Sequence, residues 1–109
     1  MMVALVHDLF FAARIQTLAE ASGVAARVVT SVKEFETLVA DAEPSHALLD
    51  LEMVDDAVLL IVATVPHVAG FGPHVQRENF LSARQHGIRT LWANSALAER
   101  LPSWIQTTG

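Results

Sequence analysis

The chain has 109 residues, 52% hydrophobic and 17% charged, with no cysteine and a net charge of −5. That length suits a single domain, residues 1–109, with one core; the apolar composition excludes a disordered chain, and the longest unbroken apolar run, Ala57 to Ala63, falls far short of the roughly 18 residues a membrane helix needs. The acidic balance argues against a nucleic-acid partner, because displacing counterions from phosphates takes clustered Lys and Arg, and the absence of cysteine and of a basic, apolar leader leads us to expect a cytoplasmic protein.

Taken in order, Val3-Ala4-Leu5-Val6 is a continuous apolar run of the kind that makes a strand buried on both faces. Asp8 is placed to cap a helix in which Phe11, Ile15 and Leu18 recur at helical spacing and which Gly23 stops. Ala26 to Thr30 reads as a second strand. Ser31 with Glu34 forms a capping box, and Phe35, Leu38, Val39 and Ala42 make the apolar stripe of a second helix ended by Pro44. His46 to Leu51 is a third apolar strand carrying Asp50 near its end.

Asp55 to Val65 is ambiguous by composition, since its apolar core suits a strand or a buried helix. A strand starting there could not run parallel to the one just ended, because a parallel crossover needs about a dozen residues. We therefore read a short apolar helix stopped by Pro66, with a hairpin strand as the alternative. His67 to Gly72 is the fourth strand, Gln76 to His86 a helix closed by Gly87, and Ile88 to Ala93 the fifth strand. Asn94 and Ser95 are candidate caps of a last helix carrying Leu97, Leu101 and Trp104, which Pro102 is expected to break or tighten.

Five strands alternating with helices imply a parallel sheet covered on both faces. The short length favours an α/β, doubly wound, flavodoxin-like sheet in the order 2-1-3-4-5, whose functional crevice lies at the carboxyl ends of strands one, three and four. Those ends carry His7-Asp8, Asp50-Leu51-Glu52 and Gly72-Pro73-His74.

The residues at the crevice resemble the receiver domains of bacterial response regulators. Val6-His7-Asp8 resembles the acidic end of a receiver's first strand, Leu48-Leu49-Asp50-Leu51-Glu52-Met53 is similar to the third strand with its phosphoacceptor aspartate, and Ala83-Arg84-Gln85-His86-Gly87 is similar to the end of the fourth helix. The resemblance implies Asp50 as the phosphoacceptor equivalent and Asp8, Asp50 and Glu52, the last through a backbone carbonyl near it, as candidate ligands of Mg²⁺. The departures are equally specific. His7 stands where receivers have a magnesium-holding acid, Gly72 where they have Ser or Thr, Asn94 where they have lysine, and Leu91, beside Trp92, at the aromatic switch position. Lys33, the sole lysine, lies in the second helix. The resemblance therefore implies a degenerate, pseudo-receiver type: a stand-alone, non-enzymatic signalling module that binds another protein chain or a second copy of itself, with no resident cofactor beyond the candidate Mg²⁺.

Two other readings stay open: a working Mg²⁺-dependent phosphoacceptor using Asp50, and a small ligand-binding or enzymatic domain with a site at Gly70 to His74 and the histidines His7, His67 and His74, which are expected to converge on the crevice. Single residues carry structural readings as well. Asp50 is a natural cap of the loop after it, and Asp8 of the helix after it. Gly70-Phe71-Gly72-Pro73 reads as a tight turn in which glycine tolerates an awkward dihedral. Leu91, Trp92 and Trp104 are candidate interface residues on the face of the fourth helix, fifth strand and fifth helix, and both indoles are also candidates for the core.

Overall fold

The short apolar runs become strands of a single parallel sheet. In the computed structural model, which describes residues 1–73 and 77–108, β1 (Met2–Leu5), β2 (Ala26–Val29), β3 (His46–Asp50), β4 (His67–Gly72) and β5 (Thr90–Ala93) pair in the order β2-β1-β3-β4-β5. They alternate with α1 (Leu9–Ala21), α2 (Val32–Ala42), α3 (Asp56–Ile61), α4 (Arg77–Gln85) and α5 (Leu97–Trp104). The strand-helix alternation and the flavodoxin-like order are those expected from the sequence.

The pleat sends successive side chains to opposite faces. Val3, Leu5, Ala47 and Leu49 meet Phe35 and Val39 of α2, Val58 of α3 and Ala83 of α4 on one face. Met2, Ala4, Val6, Leu48 and Phe71 meet Ile15 and Ala19 of α1 with Leu97 and Leu101 of α5 on the other. Burial on both faces explains why β1 and β3 read as continuous apolar runs rather than as alternating ones.

Local chemistry sets most of the helix limits. Asp8 Oδ1 accepts the Phe10 N–H at 2.7 Å, and Ser31 Oγ accepts the Glu34 N–H at 3.1 Å. Gly23 and Gly87, at φ 75° and 93°, follow α1 and α4 in the left-handed region that glycine enters freely. α2 ends instead on Glu43, itself left-handed at φ 46°, just ahead of Pro44. Asp55 accepts the Val58 N–H at 2.9 Å, and a 3-10 turn, Val62–Thr64, extends α3 toward Pro66. Residues 56–64 are thus helical, as connection length requires, and the hairpin alternative is set aside.

Three expectations need correction. Asn94 and Ser95 do not cap α5. They lie in a 3-10 turn, Asn94–Ala96, and α5 begins at Leu97 with no side-chain cap, because β5 ends on Ala93 and the chain first has to turn back over the sheet. Pro102 does not break α5, which runs through it to Trp104; proline removes one backbone bond, while Leu101 and Ile105 on either side are buried and hold the helix down. Gly70 and Gly72 form no tight turn but belong to β4, and neither has a positive φ. Gly70 serves a different need: a Cβ there would lie 2.7 Å from Leu51 Cδ2 and 3.1 Å from Leu91 Cδ2. The expected helical start at Gln76 lies outside the described residues.

Candidate functional site

The register of the sheet brings the end of β1 against the end of β3, because Leu5 pairs with Leu49. His7, two residues beyond Leu5, and Asp50, one beyond Leu49, meet there. The His7 backbone N–H donates to Asp50 Oδ2 at 3.2 Å, and the His7 ring Nδ1 lies 3.0 Å from that same oxygen. The other oxygen, Oδ1, accepts the Glu52 N–H at 3.0 Å, so Asp50 caps the 3-10 turn Leu51–Met53. This is the local capping role open to it from sequence, and it fixes the carboxylate of a buried residue.

The same turn swings Glu52 back toward β1. Its Oε2 lies 3.2 Å from His7 Nδ1, so one imidazole nitrogen faces two carboxylates. The His7 pKa is raised above 6.5, first by the hydrogen bond to Asp50, with the charges of Asp50, Glu52 and Asp8 adding and desolvation opposing. In its charged form His7 offsets the buried Asp50 carboxylate from within the protein, as a bound cation would.

The other candidates distribute unevenly. Asp8 has Oδ1 committed to the first turn of α1, and the group of metal-capable side chains assembled here, among the described residues, is His7, Asp50 and Glu52. Gly72 pairs with Ala93, which puts Gly72, Pro73 and Asn94 at the neighbouring strand ends. No hydroxyl stands at Gly72, although its absent Cβ would meet Leu51 Cβ at an ordinary 3.5 Å. Asn94 Oδ1 is buried and without a hydrogen-bond partner among the described residues. Lys33 is the second residue of α2. His74 lies outside the described residues.

His67 does not join the crevice. It is the first residue of β4, so it sits at the amino end of the sheet, and the alternation that predicted the strand already put it there. It stacks on His46 with ring centroids 4.7 Å apart, while Trp104 meets His46 edge-on at 4.9 Å and Trp92 meets Trp104 edge-on at 5.5 Å. Trp92 and Trp104 are half-buried and pack on the α1/α5 core, and Leu91 packs on the opposite one. His46 was not singled out from sequence, although its place in a continuous apolar run marked it for burial. It is 3% exposed, and its pKa is lowered from 6.5, chiefly by burial, with His67 and the N-terminal ammonium adding and the carbonyls of Trp104 and Thr107 opposing. Leu9 and Phe10 are also unanticipated: 76% and 80% exposed, they open α1 immediately after His7 and Asp8.

No protein-family model and no curated protein matches the sequence. Solved structures do match the fold. A response regulator receiver domain protein from Clostridium thermocellum superposes with a TM-score of 0.80 at 16% identity, covering 95% of this chain and 89% of that one. A response regulator receiver protein from Burkholderia phymatum gives 0.77 at 20% identity, covering 99% and 96%, and a signal receiver domain from Vibrio parahaemolyticus gives 0.77 at 16%, covering 94% and 83%. Likeness at such identities is a likeness of fold: the chain is receiver-like in architecture. No described helix is long and apolar enough to cross a membrane.

Proposed function

We propose that this chain is a receiver-like signalling module of the pseudo-receiver kind, in which Asp50 is withheld from phosphoryl chemistry and the output is contact with another protein chain, a second copy included. The observation that carries this reading is the engagement of Asp50. Both its oxygens accept backbone N–H groups, and the His7 ring lies 3.0 Å from one of them. Attack on a phosphoryl group needs a carboxylate oxygen that a bulky phosphoryl donor can reach, together with cations and donors arranged around the transferred oxygens. Here the side chain of Asp50 is 6% exposed, Gly72 offers no hydroxyl, Asn94 no ammonium, and the chain's one lysine is on α2.

The contact surface in this reading is the face of α4, β5 and α5. Leu81 stands 60% exposed on α4, and Leu91, Trp92 and Trp104 are half-buried on the neighbouring elements. The test is incubation of the chain with Mg²⁺ and acetyl phosphate, read by intact mass. An unmodified mass is expected. A stoichiometric phosphate adduct that disappears in Asp50→Asn overturns the proposal in favour of a working phosphoacceptor.

A further inference from the structure

The donor set at the ends of β1 and β3 does not suit the cation that the receiver resemblance implies. Mg²⁺ takes near-ideal octahedral oxygen coordination, whereas the atom at the centre of this group is an imidazole nitrogen, and Asp8 does not belong to it. Imidazole suits zinc, copper, nickel and iron, while carboxylates and waters alone suit magnesium and calcium. The disagreement is chemical, and it points to a different occupant.

We propose that His7, Asp50 and Glu52 form a binding site for a divalent transition metal, Zn²⁺ foremost, held by one imidazole nitrogen and two carboxylate oxygens. The spacing supports it. Ligands at 2.0–2.1 Å from a tetrahedral ion lie about 3.3 Å from one another. His7 Nδ1 is 3.0 Å from Asp50 Oδ2 and 3.2 Å from Glu52 Oε2, and all three donors lie within 4.8 Å of one another. Two edges of the coordination figure are therefore already in place.

The third edge closes by movement of Glu52 alone, whose side chain is 37% exposed. Asp50 supplies the fixed corner. Its two oxygens are oriented by the His7 and Glu52 amides, and each carboxylate oxygen has a second lone pair left for a metal. The backbone amides here do the orienting that outer-shell hydrogen bonds do for metal-bound carboxylates generally. Three protein ligands leave a fourth position for water, the arrangement of an exchangeable rather than a closed structural site. The site needs no phosphoryl donor, so its presence or absence is independent of whether Asp50 accepts phosphate.

The test is a titration of the chelator-treated full chain with Co²⁺, followed by visible absorption, and then with Zn²⁺ and Mg²⁺. One equivalent of Co²⁺ is expected to develop a ligand-field spectrum that Zn²⁺ displaces and excess Mg²⁺ leaves intact. His7→Asn and Glu52→Gln, both at side chains exposed enough to spare the fold, are expected to weaken Co²⁺ and Zn²⁺ binding roughly tenfold or more. His86→Asn, on the remote end of α4, is expected to change nothing. As a measure that depends on no variant, Zn²⁺ raises the unfolding temperature of the unmodified chain and Mg²⁺ does not. Absence of a Co²⁺ spectrum, an unchanged isotherm in His7→Asn, an equal loss in His86→Asn, or an unfolding temperature indifferent to Zn²⁺ each overturns the proposal.

Discussion

Histidine occurs at both ends of this sheet, and the two ends act on it in opposite directions. At the carboxyl end His7 has a side chain 54% exposed and faces two carboxylates, which favour its charged form. At the amino end His46 is buried between an imidazole and an indole, and burial favours its neutral form. The difference arises from the parallel sheet. The carboxyl strand ends border the crevice that such sheets open and leave His7 and Glu52 in contact with solvent, while at the amino end Trp104, the last residue of α5, covers His46. One end gathers an imidazole and two carboxylates, and the other stacks rings.

The contrast is sharpest in stability. Trp104→Ala removes edge-on contacts with His46 and Trp92 and is expected to cost about 2–3 kcal/mol in urea unfolding, whereas His7→Ala leaves the unfolding midpoint close to that of the unmodified chain. A large loss at His7 with none at Trp104 breaks the division. Next in size, Gly70→Ala drives a methyl into Leu51 and is expected to cost about 1–2 kcal/mol, overpacking outweighing the gain in backbone rigidity. Gly72→Ala, with open van der Waals distances, is expected to stay within about 0.5 kcal/mol. Equal costs at the two glycines contradict the close approach seen at Gly70.

The smallest effect is in pH. The folded-state pKa of His46 lies below the 6.5 of an unperturbed histidine, so the unfolded chain takes up this proton first. The stability associated with neutral His46 is then fully present above pH 6.5 and lost as pH falls through the folded value. His7 has the opposite sign, contributing below pH 6.5 and losing its contribution as pH rises through its raised value. Measured in a His7→Asn background, urea stability is expected to fall on acidification below pH 6.5, and His46→Phe to flatten that fall. A slope unchanged by His46→Phe places the titrating group elsewhere.

The layout of the fold was legible because each element announces itself locally: apolar runs bounded by Asp8, Ser31, Asp55 and the glycines at 23 and 87. Even residues 55–65 yielded once connection length was weighed against composition. The site was legible in part. Asp50 and its place at a strand end can be read from the run His46 to Leu51, and His7 from the end of the preceding central strand. Glu52 was a candidate through the resemblance, but that its side chain turns back to His7 while Asp8 stays out of the group was not readable, because it depends on a 3-10 turn of three residues reversing a side chain, and one such turn differs little in composition from any loop. The reason for Gly70 was hidden for a related cause. It lies in a contact with Leu51, at the far end of the preceding crossover, rather than in the glycine's own dihedral.

The strand order has a consequence for how the chain acquires its structure. β1 pairs with both β2 and β3, so the first fifty residues contain three strands joined through β1 and two crossover helices. β4 then adds beside β3, and β5 beside β4, each at an open margin and none by insertion between strands already joined. The molecule can grow outward from its own first half without unpairing anything to admit later segments, although parallel pairing over long sequence separations keeps such growth slow. Amide protons of β1 and β3, covered on both sides from the earliest stage, are then the last to exchange with solvent, and those of β5 exchange sooner.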